Sequence, residues 1–192
     1  LQKNFEKKGI TFHLNAQVTA VGNGQVTFKT GDQIQSVAAE KTLLSVGRRP
    51  VTSGIGLESI GVYLERGRII TDEQGRTNVP GVYAIGDANG VWMLAHAAYR
   101  EAEVAVNTML GKKDKMRYQA MPSVLYTTPE LAFVGETEET AKAKGLAYRK
   151  VELSMNYSGR YMAENEAGDG VIKLLVDPVH DRVLGCSMLG SY

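Results

Sequence analysis

Apolar and polar positions alternate with period two in short runs through the first fifty residues, a pattern that predicts half-buried strands. Ile10, Phe12 and Leu14 alternate with Thr11 and His13. Residues 17–21 and 26–29 repeat the pattern about the turn-forming Gly22-Asn23-Gly24. A second turn follows at Thr30-Gly31-Asp32, and residues 41–46 read as a buried strand that runs into Gly47-Arg48-Arg49-Pro50. The residue before a proline is pushed out of the helical region, so this step marks a boundary. Ahead of these strands, Leu1 and Phe5 precede Lys7, Lys8 and Gly9, the basic last turn and glycine stop of a helix without a start signal.

Beyond residue 51 the spacing changes. Residues 62–64 and 69–71 predict short strands beside a glycine-rich loop, and the apolar run 82–85 predicts a strand ending in Gly86-Asp87. Residues 94–110 predict a helix, with Gly111 at its C-cap position. Ala98, Ala102, Ala105 and Met109 share one face of it, and three alanines let that face lie close to a sheet or a ligand. From about residue 119, residues 124–126 and 131–134 predict short strands around Thr128-Pro129-Glu130. Glu138 and Glu139 open a helix that Lys142 and Lys144 close before Gly145, matching the macrodipole at both ends. Residues 148–153 predict a strand, and residues 171–176 and 182–189 a hairpin across residues 177–181. This last third reads as an α+β unit. Residues 185–192 stop just after a strand with nothing to cap it, so both ends read as cut. There is no internal repeat and no low-complexity segment.

Composition narrows the function classes. A chain of 192 residues and 20.9 kDa forms one sizeable core or two small ones. Its 22 Lys plus Arg against 21 Asp plus Glu leave a net charge of +1, which gives no field toward nucleic acid or anionic lipid. With 43% hydrophobic and 22% charged residues, disorder is excluded. The sole cysteine, Cys186, excludes an internal disulfide framework and a cysteine-based metal cluster; it reads as a buried thiol between Leu184 and Met188. No apolar run approaches a membrane span and no signal-peptide pattern opens the chain, so a reducing compartment, the cytoplasm, is expected.

The strongest local signal is Thr77-Asn78-Val79-Pro80-Gly81-Val82-Tyr83-Ala84-Ile85-Gly86-Asp87. A buried strand that ends in Gly-Asp lets a ligand approach the glycine backbone while the carboxylate accepts bonds from sugar or polyol hydroxyls. On spacing alone, an ordinary turn with Asp opening a helix reads equally well. Six residues after Asp87, Met93-Leu94-Ala95-His96 starts the alanine-faced helix, where open N–H groups suit an electron-rich oxygen; otherwise residues 87–92 are only a connecting loop. Together the two motifs point to a cofactor held between strand end and helix start. His13, His96 and His180 have no Asp or Cys partner at a diagnostic spacing and read as structural or surface residues. Asp177, Asp181, Glu164 and Glu166 read as solvated loop residues rather than as a metal site. No Gly-x-Gly-x-x-Gly phosphate cradle, Cys pair or Ser-His-Asp set is present, so these residues alone do not complete a reaction.

The string from Thr77 to Asp87 resembles the second flavin-binding motif of the FAD- and NAD(P)-dependent pyridine nucleotide-disulfide oxidoreductases. Leu44-Ser45-Val46-Gly47-Arg48-Arg49-Pro50 is similar to the closing strand of that family's NAD domain, and Met93-Leu94-Ala95-His96 to the segment under its flavin ring. The run from Met121 to Gly135 resembles the opening of its C-terminal dimerisation domain. The Met-Leu-Ala-His segment and Tyr126-Thr127-Thr128-Pro129-Glu130 are closer to the dihydrolipoamide-oxidising members than to the glutathione-reducing ones.

The resemblance implies a mixed α/β and α+β fold. Residues 1–50 would end a Rossmann-like NAD domain, 51–118 form a returning FAD segment, and 119–192 form a truncated α+β dimerisation domain. It implies that Asp87, beside Gly86, binds the ribityl and phosphate part of FAD. The backbone of Met93, Leu94, Ala95 and His96 would face the flavin ring, Gly47 would approach NAD, and Val18 would line its adenosine end, unless it is an ordinary strand residue. The family's glycine motifs and redox Cys pair would lie upstream of Leu1, and its His-Glu acid-base pair downstream of Tyr192. The implied partners are a second copy and the lipoyl-bearing acyltransferase of a 2-oxo acid dehydrogenase or glycine cleavage complex. Two alternatives stand beside this reading: a non-enzymatic dimerising module, and a related flavoenzyme acting on another disulfide, on mercuric ion or in transhydrogenation.

Overall fold

The Asn23-Gly24 step turns the chain with both residues at positive φ (53° and 71°), the geometry that matches the twist of a two-residue hairpin. It joins β1 (Ala16–Gly22) to β2 (Gln25–Thr30), and a turn at Gly31 adds β3 (Gln33–Ala38), giving an antiparallel meander in the order β1-β2-β3. With the short helix α1 (Gln2–Lys7) these strands belong to the first of two units, residues 1–47 and 48–192; the computed structural model describes residues 1–165 and 168–190. Phe28 is the buried anchor of the first unit, with the His13 ring 4.6 Å from its own.

Two expectations fail in this unit. Ile10, Phe12 and Leu14 do not lie in a strand; Phe12 instead stacks on Phe5 of α1, with centroids 6.3 Å apart. Residues 41–46 form no ladder among the described residues, and Leu43 is 90% exposed. A strand apolar on both faces is buried only through neighbours, and no described strand pairs with this one. In compensation, β3 appears where no alternation predicted it. It is exposed on both faces and is held by its backbone ladder to β2 and by Thr27 Oγ1 and Ser36 Oγ at 2.9 Å.

The second unit starts with a two-residue ladder of β4 (Leu64–Glu65) and β5 (Arg68–Ile69). Val62, Ile69 and Ala84 form a small core there, with Leu57, Val79, Val82 and Ala88 packed on it. Residues 82–85, expected as a strand, make only a single bridge, Tyr83 to Arg76. Thr77 closes the loop too tightly for more: its N–H and its hydroxyl both donate to the carbonyl of Val82, at 3.0 and 2.9 Å.

Helix α2 (Ala95–Met109) follows, and Ala97, Glu101, Val104 and Ala105 are its buried positions. The buried stripe is thus rotated from the expected one: Ala105 belongs to it, Ala98 and Ala102 flank it half-buried, and Met109 is exposed. Ala97 and Val104 share a core with Met116 and Met121.

Beyond residues 110–122, the linker that follows α2, a five-stranded antiparallel sheet runs in the order β6-β7-β10-β9-β8. Its strands are β6 (Ser123–Leu125), β7 (Leu131–Gly135), β8 (Arg149–Ser154), β9 (Val171–Val176) and β10 (Val183–Leu189). Helix α3 (Glu138–Ala143) starts from a capping box in which Thr137 and Thr140 bond each other's backbone N–H, with Glu138 and Glu139 in its first turn and Lys142 in its last. Helix α4 (Gly159–Glu164), which periodicity did not predict, is one short turn-rich segment capped by Ser158. The expected hairpin, the α3 charge pattern and the mixed α/β and α+β class agree with this architecture.

Candidate functional site

Gly86 sits at φ 66°, a conformation that costs a residue with a Cβ, and it opens a one-turn 3-10 helix, Gly86–Ala88. A Cβ built on it would stand 3.2 Å from the Ala98 methyl, so α2 passes close behind the turn, as its alanines predicted. Gly86 itself is buried whereas Asp87 is exposed. The turn therefore presents its carboxylate outward while its backbone is anchored from behind.

The anchor is Glu101, a residue the pattern of motifs did not single out. It is 2% exposed. The Gly86 N–H donates to its Oε2, and the Tyr118 hydroxyl donates to its Oε1 at 2.8 Å. Among the described residues no cation forms an ion pair with it, and these two hydrogen bonds satisfy its buried carboxyl oxygens. Burial, followed by the bond to Glu101 and its charge, pushes the Tyr118 hydroxyl well above the usual phenol range. Asn89, 1% exposed, closes the turn by accepting the Val91 N–H at Oδ1 (3.0 Å), and its amide nitrogen is buried without a hydrogen-bond partner. One sequence signal for Glu101 existed: a charged residue four after Ala97 and three before Val104 lies on the apolar stripe of α2.

Met93 and Leu94 lie half-buried just before α2, and Ala95 and His96 form its exposed start. Leu94 is the N-cap and supplies no side-chain bond, and no acidic residue stands in the first turn, so the first amides remain available to a ligand. His96 Nε2 lies 2.8 Å from the Pro122 carbonyl oxygen, a tether between the helix start and the linker rather than a catalytic arrangement. The residues from Gly86 to His96 thus run from the turn to the start of α2, with Asp87, Val91, Ala95 and His96 exposed along the way. In the first unit, Val18 lies on β1 opposite Phe28, beside the register break between Val18 and Ala20, and is itself exposed. Gly47 has φ 106° and open space where a side chain would go.

Several side-chain expectations need correction. His180 does have an acidic partner: its Nδ1 lies 2.9 Å from Asp177 Oδ2, which Arg182 also approaches at 3.3 Å. Asp177 is accordingly not a solvated loop residue; its side chain is 16% exposed. Backbone donation from Val179, then the bond to His180, holds its carboxyl far below the usual range. Glu164 ends α4 and pairs with Arg160, while Asp181 is exposed, 3.5 Å from Arg149. Glu166 lies outside the described residues, as do Ser191 and Tyr192. Cys186 is half-buried on β10 as a free thiol, and burial pushes its pKa up. Among the described residues no cluster of His, Cys, Asp and Glu could hold a metal, and no helix is long and apolar enough to cross a membrane.

Comparison with known proteins gives this geometry a setting. Residues 1–102 match the family model described as pyridine nucleotide-disulphide oxidoreductase, and residues 121–192 match the model of that family's dimerisation domain. The chain is 37% identical over 194 residues to the dihydrolipoyl dehydrogenase of Mycoplasma pneumoniae, covering 98% of this chain and 41% of that protein. It is 36% identical to the human mitochondrial dihydrolipoyl dehydrogenase, covering 99% of this chain and 40% of that one. To the leghemoglobin reductase of Vigna unguiculata it is 38% identical, with 98% and 37% covered. Among solved structures, LpdA of Mycobacterium tuberculosis superposes with a TM-score of 0.84 at 28% identity, over 98% of this chain and 41% of that one. The HOCl-induced flavoprotein disulfide reductase RclA of Escherichia coli gives 0.79 at 27%, over 99% and 44%. The chain therefore spans about two-fifths of the length of the relatives it matches.

Proposed function

Because the chain belongs to the pyridine nucleotide-disulphide oxidoreductase family, we propose that it is part of an FAD-dependent dihydrolipoyl dehydrogenase that reoxidises dihydrolipoyl groups with NAD as acceptor. The observation that carries this reading is the Gly86-Asp87 turn: an exposed carboxylate on a backbone anchored from behind, beside an uncapped helix start. Those features fit FAD. A rigid exposed carboxylate accepts hydrogen bonds from a polyol, and open first-turn amides favour an electron-rich ring edge.

In this reading Asp87 accepts bonds from the ribityl hydroxyls, and Gly86 keeps side-chain bulk out of the turn. The N–H groups of Met93, Ala95 and His96 would face the ring and favour negative charge there, while the Leu94 N–H is bonded to the Trp92 carbonyl at 2.9 Å and only shapes the segment. Gly47, without a side chain, lets NAD approach the backbone, and Val18 lines the adenosine end. Bound FAD supplies the two-electron exchange between dithiol and nicotinamide, and the residues of this chain supply orientation and field. Residues 1–50 are assigned to the NAD domain, 51–118 to the FAD segment and 119–192 to the interface domain. The match of residues 121–192 to a dimerisation domain supports a homodimer. The names of the curated relatives support lipoyl-bearing acyltransferases as partners. A single cysteine is in keeping with a reducing compartment such as the cytoplasm.

The test is FAD affinity in the intact protein stripped of flavin, followed by flavin fluorescence. Asp87→Ala is expected to raise the Kd at least about tenfold, the range for removing bonds to a charged acceptor. An unchanged Kd would sink the assignment.

A further inference from the structure

The buried carboxylate behind the Asp87 turn has a second tie that the flavin reading does not use. Glu101 accepts one bond from the turn and one from Tyr118, and Tyr118 opens the short 3-10 turn Tyr118–Ala120 that leads directly into β6. This linker is laid along α2 at several points. Met116 and Met121, on either side of Tyr118, are buried with Ala97 and Val104, and the Pro122 carbonyl lies 2.8 Å from His96 Nε2. One carboxylate thus joins the turn that presents Asp87 to the segment that carries the five-stranded sheet.

Its geometry explains why such a tie would matter to a ligand. Gly86 tolerates a wide range of backbone angles, so its own chain does not fix the planes on either side of it. The bond from its N–H to Glu101 fixes the Ile85–Gly86 peptide, the bond from the Asn89 N–H to the Gly86 carbonyl (3.1 Å) holds the peptide before Asp87, and together they set the direction of the Asp87 side chain. Glu101 has no cation to hold it among the described residues, and Tyr118 is the only other bond that orients its carboxylate. Removing either bond leaves a buried acceptor or donor unsatisfied, and the turn is the part free to move.

We propose that Glu101 is a positioning residue of the flavin site, fixing the Gly86-Asp87 turn from behind, and that Tyr118 locks it from the linker into the dimerisation domain. The proposal rests on the FAD reading above. Flavin retention is then coupled to seating of the interface domain on α2, and not only to groups that touch FAD.

The experiment compares Glu101→Ala, Glu101→Gln, Tyr118→Phe and Asp87→Ala in the intact protein. Each is scored for FAD Kd, for the absorption and circular dichroism of bound flavin, and for the melting temperature of the flavin-free protein. Glu101→Ala is expected to raise the Kd by about thirtyfold and Tyr118→Phe by about tenfold, within the range for bonds to a charged partner. Glu101→Gln, which keeps an acceptor for Gly86 and offers its amide to the Tyr118 oxygen, should restore the Kd to within about threefold of the parent. Altered flavin dichroism in Tyr118→Phe, with the flavin-free melting temperature little changed, separates positioning from mere stability. If Glu101→Ala does not fold, Tyr118→Phe and Glu101→Gln decide the matter. A Kd unchanged in Tyr118→Phe while Asp87→Ala weakens FAD overturns this proposal alone. A Kd unchanged in Asp87→Ala overturns the flavin reading and this proposal with it.

Discussion

Replacing Gly185 with alanine is expected to destabilise the five-stranded sheet severely, by a purely steric route. Gly185 lies on the central strand β10, paired with Gly135 of β7 on one side and with Leu175 of β9 on the other. Its φ is not in the left-handed region, so alanine suffers no backbone strain of its own. The damage comes from the added methyl, which would land on the backbone carbonyl and amide of Glu136. A side chain in the way could rotate aside; a main-chain peptide cannot. Glu136 is also held by its N–H to the Leu184 carbonyl at 3.0 Å and leads into the capping box of α3, so pushing it outward disturbs both. Overpacking of this kind costs about 1–3 kcal/mol, and an unyielding neighbour puts the value near the top, about 3 kcal/mol. At about 2–4 °C per kcal/mol for a chain of this size, the melting temperature should fall by roughly 9 °C. Circular dichroism melts of the flavin-free protein read this directly, and faster hydrogen exchange at the Glu136 amide would locate the damage. A melting temperature within about 2 °C of the parent would show that the two strands do not approach as described.

Other consequences follow from single contacts. Val104→Ala empties part of the core shared by Ala97, Met116 and Met121 and should lower stability by about 2 kcal/mol in urea melts, with a loss below about 0.5 kcal/mol contradicting that packing. Thr137→Ala removes the α3 cap and should cost about 1 kcal/mol by the same measure, while Thr137→Ser should restore most of it. Asp177 has a folded pKa depressed below its ordinary 3.8, so its stabilisation is present above that value and is lost as pH falls toward the folded pKa. The urea midpoints of parent and Asp177→Asn should therefore differ at pH 7 and converge at the acid end; parallel curves would contradict the Val179, His180 and Arg182 contacts. With its pKa raised by burial, Cys186 should react with a thiol reagent at pH 8 more slowly than free cysteine, and a faster reaction would contradict its placement on β10.

The elements legible in the sequence were those that carry their own signal. Asn23-Gly24 specifies its hairpin, Glu138, Glu139 and Lys142 mark the ends of α3, and residues 171–176 and 183–189 are largely apolar runs on either side of a turn. Elements whose burial depends on neighbours were misread. Residues 41–46 look like a core strand because of Leu43, Leu44 and Val46, yet no described strand covers them, and β3 offers only Ile34 and Val37 as large apolar residues, both exposed. At the candidate site, the Gly86-Asp87 turn was legible as a turn because glycine and aspartate are common where a chain turns into a helix. Glu101 and Tyr118 were not, since they bond across 17 residues, with Gly86 on the other oxygen of the same carboxylate. A contact of that kind has no local spacing to betray it.

The most direct measurement is the hydrogen-exchange footprint of FAD on the intact protein. Slowed exchange concentrated in residues 85–98, at the Gly86-Asp87 turn and the first turn of α2, is what the account predicts. Exchange there that is the same with and without saturating FAD would contradict it.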